Sequence, residues 1–223
     1  MDNFLLYLLA LIIPLIAQIY ISFCYDKYKK IENKNKLSGF EVARKILDKN
    51  GLKDVYVVET KGNLTDHYDP RRKTVKLSGS VFHGDSIASM AVAAHECGHA
   101  IQDKEGYFFM KLRSFIFPIV SFGTKFAYVV LLIGLIANLM DLVWAGIILV
   151  GLGLLFQIVT LPVEFNASKR ALTEIENIYS LERFDMDGAK TMLTAAALTY
   201  VAGVLSSALE MLRLILVFTD NKD

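Results

Sequence analysis

Charge is scarce in this chain and nearly balanced. Of 223 residues only 21% are charged, and 24 Lys and Arg are almost cancelled by 23 Asp and Glu, leaving a net charge of +1. That balance supplies no general electrostatic pull towards nucleic acid, and no nucleic-acid partner is expected. Cysteine is scarcer still. Cys24 and Cys97 are the two present, too few for a secreted disulfide scaffold. No internal repeat and no low-complexity linker breaks the chain, so no separate second domain is expected. What is abundant is apolar: 54% of the residues, and in clumps. Phe4 to Tyr25 carries no charge, Phe126 to Met140 and Leu142 to Val163 are nearly continuous apolar runs, and Met192 to Leu209 is another. A bilayer crossing needs roughly 20 such residues. Soluble globular and disordered chains are thereby excluded, and a multi-pass membrane protein with one modest water-facing region remains.

The first run does not read as a cleavable signal peptide. Asp2 is the one charge ahead of it, it is too long for a signal core, and no small-residue cleavage pattern stands before Asp26. It reads as a retained anchor over 4–25. Lys27, Lys29, Lys30, Lys34 and Lys36 follow directly, and the positive-inside rule puts the N-terminus outside and the segment after Tyr25 in the cytoplasm. The same rule holds further on. Lys104, Lys111 and Arg113 precede a second span at 115–140, and only Asn138 and Asp141 mark the join to a third at 142–163, which requires a tight hairpin. Lys169, Arg170, Arg183 and Lys190 then fall in a cytoplasmic helical stretch, 164–190, ahead of a fourth span at 191–218. Glu210 and Arg213 lie on one helical face of that last span and can neutralise one another if its helix continues to Phe218.

The polar stretch 26–112 reads as a small α+β unit. Ser38 with Glu41 is a capping box, and Phe40, Val42, Ala43, Ile46 and Leu47 recur at helical spacing until Gly51. Val55 to Val58 and Thr74 to Leu77 look like two strands, separated by the turn chemistry of Asp69-Pro70-Arg71-Arg72. From 86 to 104 the chain is Ala-rich, free of proline and helical again.

That helix holds His95-Glu96-Cys97-Gly98-His99, a complete H-E-x-x-H. Histidines four apart leave one face of a helix together, which is what two ligands of a tetrahedral zinc require. Glu96, beside the first histidine, can reach a water activated by the metal without binding the metal itself, and so suits a general base. Cys97 points away and reads as a small packing residue. A catalytic zinc of this kind needs a third protein ligand. Asp103 and Glu105 are too near His99 to fold back, whereas Glu164 stands where the third span leaves the membrane. Two crossings separate His99 from Glu164, and an even number returns the chain to the face it left. Glu174 and Glu176 remain as substitutes on the helix that follows.

Three separated motifs carry a resemblance: His95-Glu96-Cys97-Gly98-His99-Ala100-Ile101-Gln102, the upstream Asp66-His67-Tyr68-Asp69-Pro70-Arg71, and Leu161-Pro162-Val163-Glu164-Phe165-Asn166-Ala167-Ser168-Lys169-Arg170. Over almost the whole chain they resemble the YugP-like family of neutral zinc metallopeptidases of bacterial membranes, more distantly similar to HtpX-like and CAAX-prenyl proteases. The resemblance implies a mainly α membrane protein of about four transmembrane helices with a small cytoplasmic α+β unit of the zincin (gluzincin) kind in a bacterial plasma membrane. It also implies one Zn2+ per chain on His95, His99 and Glu164. In those relatives the third ligand opens an E-x-x-A-D helix; here Ser168 stands in place of the Asp, so the role of that Asp does not carry over. Arg170, just past the motif, is a candidate to stabilise an oxyanion or simply a cytoplasmic anchor. The strand Lys73 to Ser78, with Val75, Lys76 and Leu77 at its centre, is the candidate edge for pairing an extended peptide. His67 and Tyr68 are candidate donors to the tetrahedral intermediate, with turn packing the alternative, and His83 reads as a loop residue. The expected activity is hydrolysis of peptide bonds in membrane-associated or misfolded proteins. A non-catalytic membrane scaffold or chaperone with a structural zinc is the alternative.

Overall fold

The computed structural model describes residues 3–179 and 183–219. Four of its helices are long and apolar enough to cross a membrane: Asn3–Tyr28 (α1), Phe108–Ile136 (α5), Met140–Tyr179 (α6) and Arg183–Thr219 (α7). Between α1 and α5 lie the helix Gly39–Lys49 (α2), the strands Tyr56–Thr60 (β1), His67–Asp69 (β2) and Thr74–Ser78 (β3), the short helix Gly79–Phe82 (α3) and the helix Ile87–Glu105 (α4). The protein is a mainly α membrane protein with a small α+β unit.

Contacts divide the chain into two compact units, one formed by Ile19–Met110 with Val163–Leu198 and the other by the remaining described residues. The second of these is the membrane unit. Its outward side chains are apolar, among them Phe4, Phe115, Ile136 and Ile148, as a lipid-facing surface requires. The turn from α5 to α6 is as tight as the short join demands: Asn138 takes a positive φ of 57°, and the Leu139 N–H bonds the Gly134 carbonyl at 2.8 Å. Several polar groups inside this unit are paired. Gln157 donates to Ser207, Ser206 to the Ala10 carbonyl, and Arg213 forms two bonds to Glu210, at 2.7 and 2.9 Å. The neutralisation expected of that pair is present.

The α+β unit is built around α4. Ser38 and Glu41 close the capping box at the start of α2, whose Val42, Ala43, Ile46 and Leu47 are fully buried. Against them pack Val75 and Leu77 of β3 and Met90, Ala91, Ala94 and Cys97 of α4. Each buried Val, Leu, Ile or Met contributes about 1.5–3 kcal/mol. The far side of α4 meets Ala167, Ala171 and Ile175, a helical stripe on α6. α4 is therefore buried on nearly all sides, and its alanines reflect the room available. It ends at Gly106, in the left-handed region at φ 65°, where the Tyr107 N–H bonds the Gln102 carbonyl.

Three features differ from the sequence reading. The sheet has three strands, ordered β1-β3-β2, and the extra one, His67–Asp69, runs into the turn read at Asp69-Pro70-Arg71-Arg72. β1 pairs parallel with β3 and β2 pairs antiparallel with it, so β3 is central. The third span and the stretch after it also form a single 40-residue helix, α6, which continues through Pro162. A proline removes one ladder bond, and the surrounding turns hold the rest of the helix.

Candidate metal centre

His95 and His99 lie one turn apart on α4, with ring centroids 4.8 Å apart and planes nearly perpendicular at 84°. Glu164 comes from the start of the buried stripe on α6. Its Oε2 is 3.3 Å from His95 Nε2 and 3.5 Å from His99 Nε2, and the three donor atoms all lie within 4.8 Å of one another. Two ligands held tetrahedrally at about 2.0–2.1 Å from zinc stand roughly 3.4 Å apart, so this spacing suits the ion. Two imidazole nitrogens and one carboxylate are also the donor set of a catalytic zinc that leaves its fourth position open. Glu164 and His99 are buried, with 3% and 8% exposed, which excludes competing ligands from bulk water. Among the described residues this is the group of metal-ligating side chains that forms such a cluster.

The close approach of α4 and α6 makes the cluster possible. A Cβ at Gly98 would lie 2.5 Å from the Ala167 carbonyl oxygen, so glycine is the residue that lets the two backbones meet here. Glu164, Ala167, Ser168 and Ala171 then follow one face of α6 towards α4.

Each histidine carries a partner on its other ring nitrogen. His95 Nδ1 is 3.2 Å from the Ser168 hydroxyl, and His99 Nδ1 is 3.0 Å from Gln102 Oε1. Gln102 is completely buried; its Nε2 donates to the Val163 carbonyl at 2.8 Å and to Asn166 Oδ1 at 3.0 Å. Burial alone would lower the His99 pKa, but its hydrogen bond to Glu164 and the charges of Glu96 and Glu164 outweigh that and leave it raised. Glu96 is buried as well. Cys97 faces the opposite side, where its sulfur donates to the Ala43 carbonyl at 3.6 Å, and burial pushes its thiol pKa up.

The other sequence candidates lie elsewhere. Arg170 is engaged by Glu105, at the end of α4, at 2.6 Å and by Asn166 Oδ1, one turn back on its own helix, at 2.7 Å. Tyr68 donates its hydroxyl to Asp103 at 2.8 Å, and burial together with that carboxylate raises its pKa. His67 is exposed on β2, with Nδ1 at 2.7 Å from the Thr65 carbonyl, and His83 pairs with Glu59 at 3.2 Å. Val75, Lys76 and Leu77 do not form a free strand edge. β1 occupies the length of β3 on one side and β2 pairs with Thr74 to Lys76 on the other, while Val75 and Leu77 point into the core. The strand nearest before the helix in sequence is thus the middle strand of the sheet, and the edge that packs against α4 is β2. Gln102 and Ser168 escaped the sequence reading as partners of the histidines. Their only signal was spacing: Gln102 three residues after His99, and Ser168 four after Glu164.

Residues 3–219 match the family described as "Putative neutral zinc metallopeptidase". The chain is 44% identical to "Putative membrane protease YugP" of Bacillus subtilis (strain 168) over 207 residues, which cover 93% of this chain and 92% of that protein. No solved structure matches.

Proposed function

Since the chain belongs to this family of neutral zinc metallopeptidases, we propose that it is an integral-membrane zinc endopeptidase of the gluzincin type. The observation that carries the reading is the convergence of His95, His99 and Glu164 from two helices, with the buried Glu96 beside the first histidine. His95 Nε2, His99 Nε2 and a Glu164 oxygen would hold one zinc per chain. Zinc in such a site lowers the pKa of water to about 7 and polarises a carbonyl oxygen. Glu96 takes the proton of the attacking water and returns it to the departing amine, so one carboxylate serves first as base and then as acid. Ser168 and Gln102 hold the two imidazoles by their Nδ1 atoms. β2 has a strand partner on one side only among the described residues, which leaves an edge beside α4 where an extended peptide can add main-chain hydrogen bonds.

The lysines from Lys27 to Lys36, with Lys104, Lys111 and Lys169, support a cytoplasmic site at the membrane surface and an outside N-terminus in a bacterial plasma membrane. Membrane-associated or misfolded proteins are the expected substrates. Metal analysis of the purified protein, run beside peptide cleavage by the wild type and Glu96→Gln, tests the reading. One zinc per chain in both, with cleavage only in the wild type, is expected. Metal-free protein refutes the zinc site, whereas metal with no cleavage by either protein indicates a scaffold with a structural ion.

A further inference from the structure

A set of donor and acceptor obligations runs from the backbone of α6 to His99. A backbone carbonyl can only accept, so the Gln102 atom 2.8 Å from the Val163 oxygen must be the amide nitrogen. That nitrogen's second proton goes to Asn166 Oδ1, and the orientation of Asn166 is fixed in turn, because the same oxygen accepts from Arg170, which has nothing but donors. The remaining end of Gln102 is therefore its carbonyl, and it faces His99 Nδ1 at 3.0 Å. An acceptor there requires His99 to carry its proton on Nδ1. In the neutral ring that a metal ligand must be, Nε2 is then bare, and that is the nitrogen 3.5 Å from Glu164 Oε2.

We propose that Gln102 is a positioning residue of the metal centre. It selects the metal-binding tautomer of His99 and, through Val163, holds α6 at the residue immediately before Glu164. Asn166 and Arg170 stand behind it and keep it from turning over. The two helices that supply the ligands are thus joined at the ligands by one buried amide. Arg170, singled out in the sequence as a candidate for transition-state contact, belongs to this support, with Glu105 as its outer anchor. The inference rests on the zinc reading, since a tautomer is selected for a purpose only if Nε2 binds metal.

The test uses the full chain in detergent, with wild type, Gln102→Leu and Gln102→Glu. Zinc affinity is read by chelator competition, and the visible spectrum of the Co2+-loaded protein reports ligand geometry. Leucine fills the space but removes both ends of the link, whereas glutamate keeps an acceptor for His99 Nδ1 and loses only the donor side. Gln102→Leu is expected to bind zinc about 10–100-fold more weakly, with an altered Co2+ spectrum. Gln102→Glu is expected to stay within about threefold of wild type with the wild-type spectrum, the acceptor being what orients the ring. A residue that merely supports the fold would lower the melting temperature in both variants and leave the spectrum of each unchanged. Wild-type affinity and spectrum in Gln102→Leu overturn the proposal, as does Gln102→Glu weakened as far as Gln102→Leu. Should Gln102→Leu fail to fold, Gln102→Glu decides by the same threefold criterion. A wild type that binds neither zinc nor Co2+ removes the zinc reading itself, an outcome distinct from equal binding by the variants.

Discussion

At the scale of single residues, the divided roles in the metal centre give separable losses. Glu96→Gln keeps the shape and burial of the side chain and removes its basicity, so peptide hydrolysis should fall about 10²–10⁴-fold while the zinc content stays at the wild-type level. Glu164→Ala should do the reverse at the level of binding: the metal itself is lost, as equilibrium dialysis against zinc would show. Ser168 allows a finer test. Its hydroxyl is 3.2 Å from His95 Nδ1. Ser168→Ala should weaken zinc binding by about 10-fold, and Ser168→Asp, which makes the imidazole a stronger donor to metal, should hold or improve it. The two histidines and Glu96 were legible because four-residue spacing on a helix needs no tertiary knowledge. Glu164 was legible through the parity of the membrane crossings. Ser168 and Gln102 were not, because which side chain meets a ring nitrogen depends on how α6 is rotated against α4, and periodicity carries no such information.

At the scale of elements, the contact between α4 and α6 is set by a missing side chain. Gly98→Ala places a methyl 2.5 Å from the Ala167 carbonyl oxygen, and that oxygen belongs to a backbone that cannot move aside cheaply. The expected cost is about 1–3 kcal/mol of stability, together with weakened zinc binding, since the separation of the helices is also the separation of the ligands. Thermal unfolding in the presence and absence of zinc measures both. Gly98 stands in plain view between the two histidines of the motif, but what would come close to it was not visible in the sequence. The sheet shows the complementary limit. Val55 to Val58 and Thr74 to Leu77 announced themselves by β-branched residues, whereas His67–Asp69 is three residues long and runs into Pro70, so its pattern is that of a turn. With that strand unseen, order along the chain stood in for order in the sheet, and β3 was taken for an edge. The span read at 142–163 and the helical stretch after it are one helix through Pro162, and the stripe Val163, Ala167, Ala171 and Ile175 that follows the proline is buried on the α4 side.

At the scale of the whole molecule, the four membrane helices were the most legible feature, because length and apolarity together leave few alternatives. The orientation that the lysines lead one to expect is open to direct measurement. A cysteine placed at Asn138, in the turn between α5 and α6, should react with a membrane-impermeant maleimide in intact cells; one placed at Lys61, in the loop after β1, should react only after the cells are opened. The opposite pattern would invert the topology. Both native thiols, Cys24 and Cys97, are buried, and Cys97, though two residues from each histidine of the motif, packs against α2. The burial has an experimental consequence: the native thiols should be silent to alkylating reagents, so introduced cysteines report on topology without a stripped background. Inactivation by a chelator, set against indifference to thiol reagents, would then separate metal loss from thiol damage in the native protein.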